Sequence, residues 1–130
     1  MHRGKASPLK KAAAATALRG RVWIDGKEGT FLGYGRVVLL ERIKEHGSIT
    51  KAAKAMRMAY RHAWDLVDSM NKQAKRPFVE LVTGGKGGGG ARVTEDGERA
   101  IQLFWKFSED FQRFIAKEQK KLSIEVLLRK

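Results

Sequence analysis

Tyr60, Arg61, His62 and Asp65 place four groups able to hydrogen-bond within six positions, at the start of a stretch with helical spacing. That set suits reading base edges in a nucleic-acid groove. A guanidinium such as that of Arg61 can bind guanine through two parallel bonds, a contact that discriminates bases by about 1–3 kcal/mol. The Asp65 carboxylate can accept from cytosine, or orient Arg61 from one helical turn away. His62 is either a groove contact or an ordinary exposed side chain, whereas Trp64 reads as core. Ser48, Thr50, Lys51, Lys72 and Arg76 are candidates for backbone and phosphate contacts. Downstream, Gly84-Gly85-Lys86-Gly87-Gly88-Gly89-Gly90 holds six of the fourteen glycines, with Lys86 inside it and Arg92 just beyond. Glycine admits positive φ and removes side-chain bulk, so backbone N–H groups can approach a phosphate closely.

A nucleotide-binding P-loop is disfavoured, because Gly87 follows Lys86 where that motif needs Ser or Thr, and a strand-like segment follows where it needs a helix. A flexible linker is the blander alternative for the glycine run. His2, His46 and His62 have no metal-ligand spacing, and no nucleophile is paired with a base. The chain is therefore expected to be no enzyme and to need no cofactor.

The elements that must position these groups follow from local pattern. Residues 1–17 form a basic arm rich in Ala, Lys and Gly. Residues 18–32 are expected to form a hairpin, with Val22-Trp23-Ile24 and Thr30-Phe31-Leu32 around Asp25-Gly26-Lys27-Glu28-Gly29. A helix runs from Gly33-Tyr34-Gly35 to His46, with Val37, Leu40 and Ile43 on its buried side and Gly47 ending it. Ser48 caps a short helix to Met56, small-faced through Ala52, Ala53 and Ala55. After a break at Arg57-Met58, a second helix spans Ala59 to Gln73. Strands at Phe78–Val82 and Ala91–Val93 flank the glycine loop. Thr94 caps a long helix reaching about Leu122, with Glu95 and Asp96 favourable in its first turn. The fold class is mainly α with small β-hairpins (α+β), a winged helix-turn-helix with an N-terminal hairpin and a long C-terminal dimerisation helix. Its segments are the arm (1–17), the DNA-binding domain (18–93) and the dimerisation helix with its tail (94–130).

Charge supports this division. The net charge is +13, but residues 22–47 are neutral and residues 94–130 carry only +1. Residues 1–21 carry six basic and no acidic groups, and residues 48–93 nine basic and three acidic. Charge confined to the arm and the reading unit is the footprint of a polyanion-binding protein. No apolar run approaches a membrane span. The weakly apolar start, followed by Arg19 and Arg21, reads as an arm and not a signal peptide. Without cysteine, disulfides and thiolate metal sites are ruled out. The expected location is the cytoplasm, on the nucleoid.

The long helix carries two apolar stripes. Ile101, Phe104, Ser108, Phe111, Ile115 and Leu122 follow a nearly heptad seam, and Leu103, Phe107 and Phe114 form a neighbour. A small domain needs one stripe for its own core, so a homodimer is expected, with Ile101, Phe104, Phe111, Ile115 and Leu122 as its seam. The alternative is that the hairpin of residues 18–32 covers the second stripe.

Gly47-Ser48-Ile49, Ala52-Ala53, Tyr60, Ala63-Trp64-Asp65, Met70-Asn71, Gly84 to Ala91, and Thr94 with Gly97 together resemble the N-terminal DNA-binding domain of the molybdate-responsive ModE family. The resemblance covers roughly residues 20–122. It implies dimeric binding to operator DNA through a winged helix-turn-helix. In full-length members, C-terminal domains bind molybdate or tungstate and tune that binding. The chain ends at Lys130, so no such domain is expected, nor direct molybdate binding. Arg57 and Ala59 stand where the family commonly has Gly at the turn and Ser at the helix start. The function expected is sequence-specific transcription regulation on double-stranded DNA. The alternatives are an architectural nucleoid protein without sequence preference and a module that only dimerises.

Overall fold

The computed structural model describes residues 17–83 and 89–123. It divides into two compact units: Trp23–Trp105, and residues up to Val22 together with those from Lys106. The long helix belongs to both.

The larger unit opens with an antiparallel hairpin, β1 (Ile24–Gly26) and β2 (Gly29–Leu32), whose register shifts between Ile24 and Asp25. The hairpin starts later than its sequence suggests. Residues 18–22 belong to the smaller unit, where the Leu18 N–H donates to Gln119 Oε1 and Gln112 Nε2 donates to the Gly20 carbonyl. With their bonds directed to side chains there, these residues do not pair as a strand.

Helix α1 (Tyr34–His46) buries Val37, Leu39, Leu40 and Ile43. It stops at Gly47, whose φ of +70° lets its N–H close back on the Ile43 carbonyl at 2.8 Å. Helix α2 (Ile49–Ala55) starts immediately, its first turn capped by Ser48, whose Oγ accepts from the Lys51 N–H at 3.1 Å. Ala52 and Ala53 are buried, which lets α1, α2 and the next helix approach closely. Between α2 and α3 (Tyr60–Gln73) the chain turns through Arg57, the only non-glycine residue with positive φ among the described residues, at +53°. Ala59 precedes α3 without a side-chain cap.

The second hairpin, β3 (Val79–Val82) with β4 (Gly90–Val93), pairs Val79 with Val93 through to Val82 with Gly90. Asn71 ties its foot to α3: Oδ1 accepts from the Phe78 and Val79 N–H groups, and Nδ2 donates to the Val79 carbonyl. Thr94 then starts α4 (Glu95–Gln119), accepting from the Gly97 N–H while its own hydroxyl donates to the Pro77 carbonyl. A 3-10 turn, Lys120–Ser123, follows. The result is a mainly α winged helix with two small hairpins and a long final helix.

Ile101, Phe104 and Ile115 are buried within the chain itself, Phe104 to 1% exposure, and Phe111 and Leu122 are half-buried. In the larger unit α4 lies against α1, where Trp105 Nε1 donates to Glu41 Oε2 and Lys44 pairs with Glu98, so Ile101 and Phe104 face the core. In the smaller unit Gly20 packs on Phe111 and Ile115. Leu103, Phe107 and Phe114 on the same helix are exposed.

Candidate nucleic-acid interface

Helix α3 is amphipathic by spacing. Ala63, Val67 and Met70 recur at intervals of four and three and are buried, which turns Arg61, His62, Asp65 and Asp68 outward. Tyr60 is 53% exposed, and its ring meets Trp64 edge-on at 6.1 Å. Trp64 is half-buried, its indole N–H enclosed without a hydrogen-bond acceptor among the described residues. Arg61, His62 and Asp65 are all exposed, and Arg61 makes no ion pair or hydrogen bond within the described residues. The first two turns of α3 therefore present polar groups free to bond something outside the chain.

The remaining candidates separate into paired and unpaired groups. Thr50 and Lys51 are exposed on α2, and Lys51 has no carboxylate partner among the described residues. Ser48 is occupied as a cap. Lys72 pairs with Asp68 at 3.0 Å, Arg92 with Glu80 at 2.7 Å, and Arg76 with Asp96 through two bonds. The hydrogen bond and charge of Asp96 raise the Arg76 pKa, and Arg76 in turn lowers that of Asp96. Likewise the hydrogen bond that Lys72 donates to Asp68 raises the Lys72 pKa. Lys72 lies seven residues past Asp65 on the same helix, roughly 10 Å at 1.5 Å per residue, and Arg76 follows the helix end at Gln73. Lys86 lies outside the described residues.

Two cations escaped the sequence reading. Lys54 and Arg57 are exposed and unpaired among the described residues, and with Lys51 and Arg61 they form a series at spacings of three, three and four. That spacing was the available signal. The break at Arg57-Met58 obscured it, because helical periodicity does not carry across a turn.

The wing is seated on the junction between α1 and α2. The Ala91 N–H donates to the Gly47 carbonyl at 2.9 Å, fixing β4 to the α1–α2 junction. Between the wing root and the start of α3 lies an open groove of about 230 Å³, lined by residues of α2, Tyr60, Trp64 and both strands. Reading turn and foot of the glycine loop thus share one side of the unit. Among the described residues no group of His, Asp and Glu has metal-holding geometry, and no helix is long and apolar enough to cross a membrane.

No protein-family model matches the chain. Over 109 residues it is 36% identical to the molybdenum transport protein ModE of Azotobacter vinelandii, covering 84% of this chain and 40% of that protein. Over 69 residues it is 48% identical to the transcriptional regulator ModE of Yersinia pestis, covering 53% of this chain and 26% of that protein. The molybdenum-pterin-binding protein MopA of Rhodobacter capsulatus is 44% identical over 73 residues, which is 56% of this chain and 28% of MopA. The chain thus spans between about a quarter and two fifths of the length of these relatives. Sequence relationship and fold agree that the chain is ModE-like, a relative of the ModE transcriptional regulators built as a winged helix-turn-helix.

Proposed function

We propose that the chain binds double-stranded DNA sequence-specifically, as a homodimer, and regulates transcription on the nucleoid. The observation that carries this reading is the exposure of Tyr60, Arg61, His62 and Asp65 on the first turns of a helix anchored by Ala63, Val67 and Met70. Such a helix enters the major groove with its polar turn foremost, while the unpaired Lys51, Lys54 and Arg57 meet phosphates and the wing approaches the flanking backbone. Leu103, Phe107 and Phe114, exposed on one helix, favour a second copy as their cover, and a two-fold dimer suits a palindromic site. The relatives' names, which concern molybdenum transport and molybdenum-pterin binding, support molybdenum-related genes as targets. The reading assigns molybdate no site within residues 17–123.

The test selects bound fragments from a random duplex pool and compares the winner with a scrambled duplex at physiological salt. A sequence-specific protein prefers the winner by a factor of 10³ or more. Equal affinity for both would leave only a protein that coats DNA without preference.

A further inference from the structure

Val79 opens β3, and one side chain of α3 takes both of its backbone hydrogen-bonding groups. Asn71 Oδ1 accepts from the Val79 N–H at 3.2 Å and from the Phe78 N–H at 2.8 Å, while Nδ2 donates to the Val79 carbonyl at 3.0 Å. The half-buried amide thus stands in for the peptide group of a neighbouring strand. Aspartate would offer the carbonyl no donor, and glutamine is one methylene longer. The start of α4 holds the same segment. The Thr94 N–H donates to the Phe78 carbonyl at 2.9 Å, and the Thr94 hydroxyl to the Pro77 carbonyl at 2.7 Å. Among the described residues, the other α3 side chains that hydrogen-bond to other elements are Ser69 and Gln73, which reach Arg36 and the first hairpin. Asn71 is therefore the side chain that ties α3 to the wing.

We infer that Asn71 is a positioning residue for DNA binding: it fixes the angle at which the wing leaves the reading helix, so that base reading by α3 and backbone contact by the wing fall on the duplex together. Asn71 lies beyond the first turns of α3, and its amide is spent on Phe78 and Val79, so it acts through the wing and not on a base. Contacts to the phosphate backbone set where a protein sits without reporting which bases lie there. Loosening this tie should therefore lower affinity and leave the preference among sequences in place. The inference rests on the DNA-binding reading above and adds the residue that sets wing against helix.

The experiment compares the full chain as wild type, Asn71→Ala and Asn71→Asp on the selected and the scrambled duplex over a salt series, with a hydroxyl-radical footprint of each on the selected duplex. Urea unfolding gives the folded fraction, and affinities are taken per folded molecule. Asn71→Ala should lose a similar factor on both duplexes, on the order of tenfold, with the slope of log affinity against log salt reduced by about one contact. Its footprint should keep the centre and lose the flanks. Asn71→Asp retains the acceptor oxygen and loses the donor, so it should fall between Asn71→Ala and wild type, and it carries the comparison if Asn71→Ala does not fold. A lowered urea midpoint with wild-type affinity and a complete footprint overturns the inference and leaves Asn71 a brace for folding alone. Loss of the central protection, or of the preference for the selected duplex, overturns it in favour of displacement of α3 itself. If wild type binds neither duplex, or binds both alike, the sequence-specific DNA-binding reading falls first and the inference with it.

Discussion

The backbone N–H of Ala91 donates to the carbonyl of Gly47 at 2.9 Å, joining the wing to the residue that ends α1 and opens the helix-turn-helix. Both sides of this joint depend on glycine. Gly47 sits at φ +70°, and a Cβ at Gly90 would lie 2.7 Å from that same carbonyl oxygen.

Gly90→Ala should therefore push β4 away from the α1–α2 junction, because the obstructing atom is backbone and cannot rotate aside. Overpacking of this kind costs about 1–3 kcal/mol. A lowered urea midpoint is expected, with weaker DNA binding beyond what the stability loss explains. A variant matching wild type in both would show that the joint does not set the wing's position.

The turn between α2 and α3 offers the opposite case. Arg57 holds φ at +53°, which costs a residue with a side chain about 1–2 kcal/mol, against about 0.5–1 kcal/mol of extra chain entropy for glycine. The strain wins, so Arg57→Gly should stabilise by roughly 0.5–1 kcal/mol, and thermal melting should register a rise of a few degrees. Removing this cation should also lower the salt dependence of DNA binding by about one contact. Ala59→Ser supplies the missing side-chain cap on α3 and should add about 1 kcal/mol. A fall in melting temperature for both variants would contradict this account of the turn.

Much of this architecture is legible in the chain because local rules fix it. Ser48 before an alanine-rich stretch is a cap, Gly47 ends a helix, and Ala63-Val67-Met70 spacing sets which way Arg61 points. What the sequence hides depends on contacts between distant residues. Arg76 reads as a bare cation in the sequence, and only the start of α4 brings Asp96, twenty positions later, against it. Glu80 neutralises Arg92 only because the register of β3 and β4 places them opposite each other. Which stripe of α4 the chain itself encloses is hidden for a related reason. Both stripes are aromatic, and local pattern does not record the packing that encloses Phe104 while Phe107 stays exposed.

The Arg76–Asp96 pair gives the acid limb of stability a specific contributor. Its hydrogen bond and the positive charge lower the Asp96 pKa below the ordinary value of 3.8. A depressed folded-state pKa contributes stability above the unfolded value, which is lost as pH falls through the folded one. Asp96→Asn should therefore flatten the decline of stability below that pH and leave Arg76 free of its strongest partner. Because both groups are at the surface, the effect at neutral pH should be small and should shrink with added salt. Chemical denaturation at several pH values follows it directly. An unchanged acid limb would mean that the pair survives only weakly in solution.

The two stripes of α4 differ in exposure, so variants in each test folding and the proposed assembly separately. Phe104 is nine-tenths or more enclosed by its own chain, and Phe104→Ala should cost about 3–5 kcal/mol through a cavity that neighbouring rings, including Trp105 at 5.4 Å, cannot fill. Phe107 and Phe114 are half exposed, and their replacement by Ser should leave the stability of a single chain within about 0.5 kcal/mol. If these rings meet a second copy, the Phe107→Ser/Phe114→Ser variant should sediment as a monomer at concentrations where wild type sediments as a dimer. Its affinity for a palindromic site should fall steeply, because two half-sites are no longer bound by one linked pair, while affinity for a single half-site stays as it was. A variant that remains dimeric would move assembly to another surface, and one that unfolds would show that these rings belong to the core after all.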